Sequence, residues 1–198
     1  MRLQIETFVA FVSLVTLVTV KNEMCTMIIR TIREDNAEQF LSLCKQLDME
    51  TQFMLLEPGE RKTTLEEQRT QIEILLRQEN QTIFVAEQDN QLVGYLAASG
   101  GMFKRSRHSA YLVIGILQAF TGHGIGTQLF QRLEEWTKQQ HIHRLELTVM
   151  THNTAGIALY KKQGFEIEGT RRHALLINGQ YIDEFYMSKL LDQPSSST

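Results

Sequence analysis

Thr121-Gly122-His123-Gly124-Ile125-Gly126, followed by a run from Thr127 to Gln140 that reads as helical, is the stretch that decides the fold. Three glycines leave this turn almost without side-chain bulk, so backbone N–H groups can approach a ligand closely. The helix that follows adds unpaired donors and the positive end of its dipole. Together these make a cradle for an anion, with a phosphate or pyrophosphate as the natural occupant. A nucleoside-triphosphate loop needs Lys-Ser or Lys-Thr directly after its last glycine. Here Thr127-Gln128 follow, and that reading fails. A dinucleotide fold wants G-x-G-x-x-G early in a βαβ unit and an acid closing the next strand. Here the spacing is G-x-G-x-G, deep in the chain. Glu146 does fall about 20 residues after the last glycine, yet it opens its strand. A glycine turn of purely structural purpose is the remaining alternative.

Working outward, Ile125, Leu129, Leu133 and Trp136 form one apolar stripe on the helix, with Gln128, Gln131, Arg132 and Glu135 outside it. Such a helix covers a sheet. Ser109 to Leu117 reads as the strand before it, and Arg144 to Val149 as the strand after it. Strand, helix, strand is a βαβ unit, so these two strands should be parallel. Upstream, Met27 to Ile32 is a strand, and Asp35 is the expected cap of a helix running to Asp48 with Phe40, Leu41, Cys44 and Leu47 on one face. Thr64 and Glu67 form a capping box for a second helix, through Gln78, carrying Leu65, Ile72, Leu75 and Leu76. Ile83 to Glu87 and Leu92 to Ser99 are strands joined by Asp89-Asn90-Gln91. Asn153 to Gln163 is a helix closed by Gly164, and two last strands meet at Asn178-Gly179, a type I′ turn.

The 198 residues fit one globular domain. A net charge of -3 argues against nucleic acid as the main partner, because phosphate backbones are bound by clustered Lys and Arg. The two cysteines, Cys25 and Cys44, cannot build a disulfide framework, so a reducing, cytoplasmic compartment is expected. His141-Ile142-His143 offers no third metal ligand at a recognisable spacing and is expected to be a solvated loop, so no metal is expected.

Residues 1–26 stand outside the pattern. Phe8 to Val20 is largely apolar but only 13 residues long, short of the ~20 that span a bilayer. Only Arg2 is basic before it, and no small-x-small cleavage site follows. An added packing element, a membrane-associated anchor and residues upstream of the ordinary start all stay open. The last is the expectation, since Met24 or Met27 could begin a complete domain. Residues 27–191 form the expected domain, and the polar residues 192–198 a loose tail.

Tyr111-Leu112-Val113-Ile114-Gly115-Ile116-Leu117, the glycine turn and its helix to Trp136 resemble the acetyl-CoA-binding core of the Gcn5-related N-acetyltransferases, the GNAT family. Leu145-Glu146-Leu147-Thr148-Val149, Asn153, Ala155, Ala158-Leu159-Tyr160 and Gly164-Phe165 resemble the second half of that pattern, in order and spacing. The resemblance departs at Thr121, where the family usually has Gln or Arg. It implies an α/β fold: a mixed, mostly antiparallel twisted sheet of about seven strands, strands four and five parallel and splayed, with about four helices. It implies an acetyl-CoA-dependent N-acetyltransferase acting on a small-molecule or protein amine; a non-catalytic acyl-CoA sensor or scaffold would use the same cradle. A homodimer through the last strands is a further implication.

The same resemblance assigns roles. Thr121, Gly122, His123, Gly124, Ile125, Gly126 and Thr127 would grip the diphosphate of coenzyme A, and Ile116, Leu117 or Gln118 would offer a backbone N–H to the thioester carbonyl. Tyr111, Gly115 and Leu117 would shape the gap. Asn153 and Tyr160 are seven apart on one helical face, about 10 Å along the axis. Asn153 would hold the pantetheine arm, and Tyr160 would be the general acid that protonates the thiolate. Glu146 is the leading proton acceptor, by likeness to an L-E-V strand in certain protein N-terminal acetyltransferases. Glu57, Tyr111 and Asp183 are candidate substrate contacts, and Glu57 and Asp183 are also rivals to Glu146 as the proton acceptor. The basic run Lys104-Arg105-Ser106-Arg107-His108 is either a solvated loop or a patch that meets the coenzyme's phosphates or an acidic partner.

Overall fold

The computed structural model describes residues 27–191, and the expectations for residues 1–26 and 192–198 lie outside that range. Alternation of apolar residues builds seven strands: β1 (Met27–Thr31), β2 (Gln81–Gln88), β3 (Gln91–Gly100), β4 (Ser109–Ile116), β5 (Arg144–Met150), β6 (Glu166–Ile177) and β7 (Gln180–Leu190). They form one sheet in the order β1-β2-β3-β4-β5-β7-β6. Every neighbouring pair is antiparallel except β4 and β5, which are parallel. That one parallel pair is short. Its register covers only Ser109↔Arg144, Ala110↔Leu145 and Tyr111↔Glu146, although β4 continues to Ile116 and β5 to Met150. The strands therefore separate beyond Tyr111 and Glu146, giving the splay expected from the family.

Four α-helices complete the fold: α1 (Ala37–Glu50), α2 (Leu65–Leu76), α3 (Ile125–Gln139) and α4 (Thr154–Lys162). Helices α1 and α3 take opposite faces of β4. A Cβ added at Gly115 would meet Leu47 of α1, whereas one added at Gly126 of α3 would meet the side chain of Ile116. Successive strand residues point to opposite faces, so residues 115 and 116 serve different helices. Leu129, Leu133 and Leu145 are fully buried in the layer beneath α3, each stabilising the fold by about 1.5–3 kcal/mol relative to exposure. Phe130 joins that core, which broadens the expected stripe.

Several boundaries differ from the sequence reading for identifiable reasons. The capping box at Thr64 and Glu67 forms as expected, with Thr64 N–H donating to Glu67 Oε2 at 2.8 Å and Glu67 N–H donating to Thr64 Oγ1 at 3.2 Å. Asp35, however, does not cap α1. The chain first makes a 3-10 turn over Glu34–Asn36, and the helix proper starts after Asn36. Asp35 pairs with Arg33 instead. The β2–β3 turn is two residues rather than three: Asp89 and Asn90 both adopt positive φ, and Gln91 already belongs to β3. Asn178 and Gly179 form the same kind of turn between β6 and β7, as expected. Leu76 is exposed, and Gln68 shares the buried face of α2 with Ile72. Ile142 is buried, so only His141 of the 141–143 loop is solvated as expected.

Candidate active site

The glycine turn works through its backbone. Gly122 and Gly124 have φ of +78° and +80°, and a Cβ at either would meet nothing within 4 Å. Glycine is needed there for conformation, and the space in front stays open. Helix α3 starts at Ile125, two residues earlier than the periodicity predicts, with Gly124 as its cap. Gln128 N–H makes the first intrahelical bond, to Gly124 O at 3.1 Å. The N–H groups of Ile125, Gly126 and Thr127 precede it and have no helical acceptor, so they point out of the helix end toward an anion. Thr121 is a correction. Its hydroxyl and its N–H both donate to Gln118 O, at 2.8 and 3.2 Å, which leaves it no donor for a phosphate. The His123 ring is held by Nδ1 against Thr121 O at 2.8 Å.

The edge of β4 supplies a second row of donors. In an antiparallel pair, hydrogen-bonded and non-hydrogen-bonded positions alternate. Leu117 N–H donates to Val93 O at 2.9 Å, so odd-numbered β4 residues bond β3 and even-numbered ones turn their N–H toward β5. The last bridge, Tyr111↔Glu146, takes up Leu112 N–H, and beyond it no β5 residue is there to receive them. Ile116 N–H thus faces the splay, together with that of Ile114, which the sequence reading missed. Leu117 and Gln118 are corrections: Leu117 is spent on β3, and Gln118 N–H donates to Glu50 Oε2 at 2.9 Å. Glu50 ends α1, and its other oxygen accepts from Gln46 at 2.7 Å.

Helix α4 carries Asn153 and Tyr160. Asn153 is the N-cap, its Oδ1 accepting from Gly156 N–H at 2.9 Å, and its side-chain amide keeps two donors. Tyr160 is 8% exposed and packs edge-on against Phe130, with Phe165 beside both. Burial, and secondarily the nearby Tyr111, pushes its phenol up to about 12. It is a protonated donor across the neutral range.

On the opposite face Tyr111 of β4 lies beside Glu146 of β5, and Val113 and Gly115 of β4 and Thr148 and Met150 of β5 share that face beyond the point where the strands part. Glu146 faces away from Leu145, Leu147 and Val149, as the period of two predicts. It sits in the closed half of the β4–β5 pair, opposite Tyr111. Ile116 lies five residues further along β4, or about 16 Å. Its carboxylate accepts from Arg144 Nε at 2.9 Å, and the same guanidinium grips Glu168 at 2.8 and 2.5 Å. Between Glu146 and the open end, Tyr111 and Thr148 share a hydroxyl hydrogen bond of 2.8 Å.

Beside the splay lies an open cleft of about 410 Å³ between the α1–α2 loop and the β6–β7 hairpin. Glu57 lines it, as the sequence reading expected, and Met150 reaches it from the end of β5. Asp183 does not line it. Its Oδ1 accepts from His173 N–H at 2.8 Å, supporting a bulge in β6 where His173 has φ of +54°. The loop wall is pinned from behind: Arg61 grips buried Asp48 through two hydrogen bonds of 2.6 and 2.9 Å. The basic run 104–108 precedes β4. It lies a full eight-residue strand from the glycine turn, about 26 Å away, so it does not meet phosphates there. No described group of His, Cys, Asp and Glu could hold a metal ion, and no described helix is long and apolar enough to cross a membrane. Cys44 is buried and pushed up to about 11 by burial, as expected of core filler.

A model of the acetyltransferase (GNAT) family matches residues 41–165. The L-amino acid N-acetyltransferase AaaT of Escherichia coli is 34% identical over 106 residues, 52% of this chain and 64% of that protein. The matched stretch thus falls short of that relative's full length. A GNAT-family acetyltransferase from Streptococcus pneumoniae superposes with a TM-score of 0.80 at 28% identity, covering 84% of this chain and all of that one. A putative acetyltransferase from Salmonella typhimurium, solved with its cofactor acetyl-CoA, superposes at 0.76 with 18% identity, covering 87% of this chain and 98% of that one.

Proposed function

This chain belongs to the GNAT acetyltransferase family, and we propose that it transfers an acetyl group from acetyl-CoA to a primary amine by direct attack on the thioester. One observation carries the reading: the glycine turn's free amides and the unpaired N–H groups at the open end of β4 are two runs of donors, separated by a short turn in which the N–H groups of Leu117, Gln118, Phe120 and Thr121 are engaged. A diphosphate fits the first segment and an extended pantetheine arm the second. The Salmonella neighbour's bound acetyl-CoA supports the same choice of cofactor.

The residues divide the work as follows. Amides of Gly122 to Thr127 hold the diphosphate, and Asn153 Nδ2 donates to the arm. Ile116 N–H donates to the thioester carbonyl, where negative charge grows as the amine attacks. Tyr160 donates to the sulfur as the C–S bond breaks. The amine approaches from the face of Tyr111 and Glu57. Its proton leaves through water and the Tyr111–Thr148 hydroxyl pair toward Glu146. Glu146→Gln should then lower kcat at neutral pH and relieve the loss at higher pH, where free amine is plentiful; an unaltered profile removes Glu146 from the path.

The activity test is release of coenzyme A thiol from acetyl-CoA in the presence of an amine panel. Thiol release that no amine accelerates, with acetyl-CoA bound, would replace transfer by sensing. We place the enzyme in the cytoplasm and as a homodimer joined through β6 and β7, whose Leu176, Tyr181 and Leu190 are exposed. Fractionation and sedimentation equilibrium test those two statements.

A further inference from the structure

Resting on the transferase reading, the lining of the cleft beside the splay narrows the acceptor. Its lining mixes apolar side chains, Met54, Leu56, Met150 and Ile177 among them, with the polar Thr51, Gln52 and Asn178. Its charged groups are all acidic: Asp48, Glu57 and Glu60. None of the described residues that line it is Arg, Lys or His.

Two arginines beside the cleft are already committed. Arg61 lies behind the wall with both ends of its fork on Asp48. Arg171, on the hairpin, donates to Glu184 at 2.9 Å and stacks over the Tyr186 ring at 5.5 Å. Glu184 pairs in register with Met150, so this arginine is held on the strand next to the cleft without a free charge to offer. A carboxylate brought into this cleft meets no cation in the lining to offset the hydration it gives up. Two acids in the same wall repel it further. An ammonium group meets the opposite situation, because Glu57 and Glu60 attract it and the apolar side chains of the lining receive the chain that carries it.

We infer that the acceptor is a primary amine on an apolar chain with no carboxylate beside the amine: either a simple alkyl or aralkyl amine, or an α-amine whose own carboxyl is tied up as an amide, as at a peptide N-terminus. A free amino acid is the substrate this cleft disfavours, which separates the chain from its relative named as an L-amino acid N-acetyltransferase.

The test compares one side chain in three states: L-leucine, L-leucinamide and isoamylamine. Coenzyme A thiol release is measured with each, and rates are referred to the unprotonated amine, since the three ionise differently. Expected is kcat/KM at least tenfold higher for leucinamide, isoamylamine or both than for leucine. Leucinamide alone points to peptide N-termini, and both together to small amines. Glu57→Lys should raise leucine relative to leucinamide at least tenfold, with circular dichroism checking that the variant is folded. Leucine turned over as well as leucinamide, or a ratio that Glu57→Lys does not move, overturns the inference and leaves the transferase standing. Failure of every amine to release thiol removes the transferase reading itself.

Discussion

Replacing Tyr160 by Phe deletes one hydroxyl from a packed site and tests what that hydroxyl does. The phenol sits at about 12 because burial disfavours its anion, so at pH 8 only about one molecule in 10⁴ carries a phenolate. It cannot serve as a base. Nor is complete proton transfer to sulfur easy, because a simple thiol ionises near 8.5 and the gap of about 3.5 corresponds to ~5 kcal/mol uphill. The hydroxyl therefore helps chiefly by donating a hydrogen bond to a sulfur that is becoming negative. Such a bond to a charged group is worth about 1.5–3 kcal/mol, which converts to a fall in kcat of about 10- to 150-fold. Folding should be nearly unaffected, since the ring keeps its contacts with Phe130 and Phe165. Steady-state thiol release gives kcat, and calorimetry with acetyl-CoA gives binding. A kcat within twofold of the native value, or a loss explained wholly by weaker acetyl-CoA binding, would refute the donor role.

Gly124→Asp should reduce acetyl-CoA affinity at least 100-fold by calorimetry, since it adds a carboxylate at a φ of +80° in front of the anion site; Gly124→Asn, which tolerates that φ, should retain most of it. Arg61→Ala strands buried Asp48 and should cost about 3–5 kcal/mol in urea unfolding, as removing one partner of a buried pair does; a loss under about 1 kcal/mol would mean that Asp48 finds water instead. Glu168 is held down to about 2, first by the Arg144 guanidinium and then by Ser188. Its folded value lies below the ordinary ~4.3, so its contribution is present above pH ~4.3 and lost as pH falls through 2. The stability difference between native protein and Glu168→Gln should vanish over that window, and it should be small throughout because both partners are partly exposed.

The sheet and its parallel pair were legible because each rests on a local signal with one geometric solution: alternation for strands, a glycine turn feeding an amphipathic helix, and a βαβ connection that enforces parallel strands. The glycine turn was legible for the same reason, since its conformation is set by the backbone. What escaped the sequence depends on partners far along the chain. Gln118 N–H is taken by Glu50, 68 positions away, and no spacing rule relates the two. Leu117 is excluded as a donor only once its register with Val93 is known. Asp183 looked like a wall residue because it is a carboxylate on the right hairpin, but a bulge at His173 claims it. Thr121 looked like a phosphate ligand because of its place in the motif, and its hydroxyl turned back onto Gln118.

The register also explains why one strand can serve three purposes. Odd residues of β4 give their N–H groups to β3, so the strand is anchored without using the even ones. Ile114 and Ile116 keep their donors free at the splay, and the Ile116 side chain faces α3. The odd side chains, Tyr111, Val113 and Gly115, face the other side of the sheet, where α1 packs. Gly115 matters here through what it lacks. A Cβ there would lie 2.7 Å from Leu47 and 3.0 Å from Tyr95, so its absence lets α1 pack directly on the strand. Leu47 lies about one helical turn before Glu50. Close packing at 115 thus accompanies the approach of Glu50 to within 2.9 Å of Gln118 N–H, tying the end of α1, where the cleft wall begins, to the segment leading into the glycine turn. On the proposed reading the two substrates meet across a strand whose position both walls share, so a change that moved α1 would be felt at the thioester as well as at the amine.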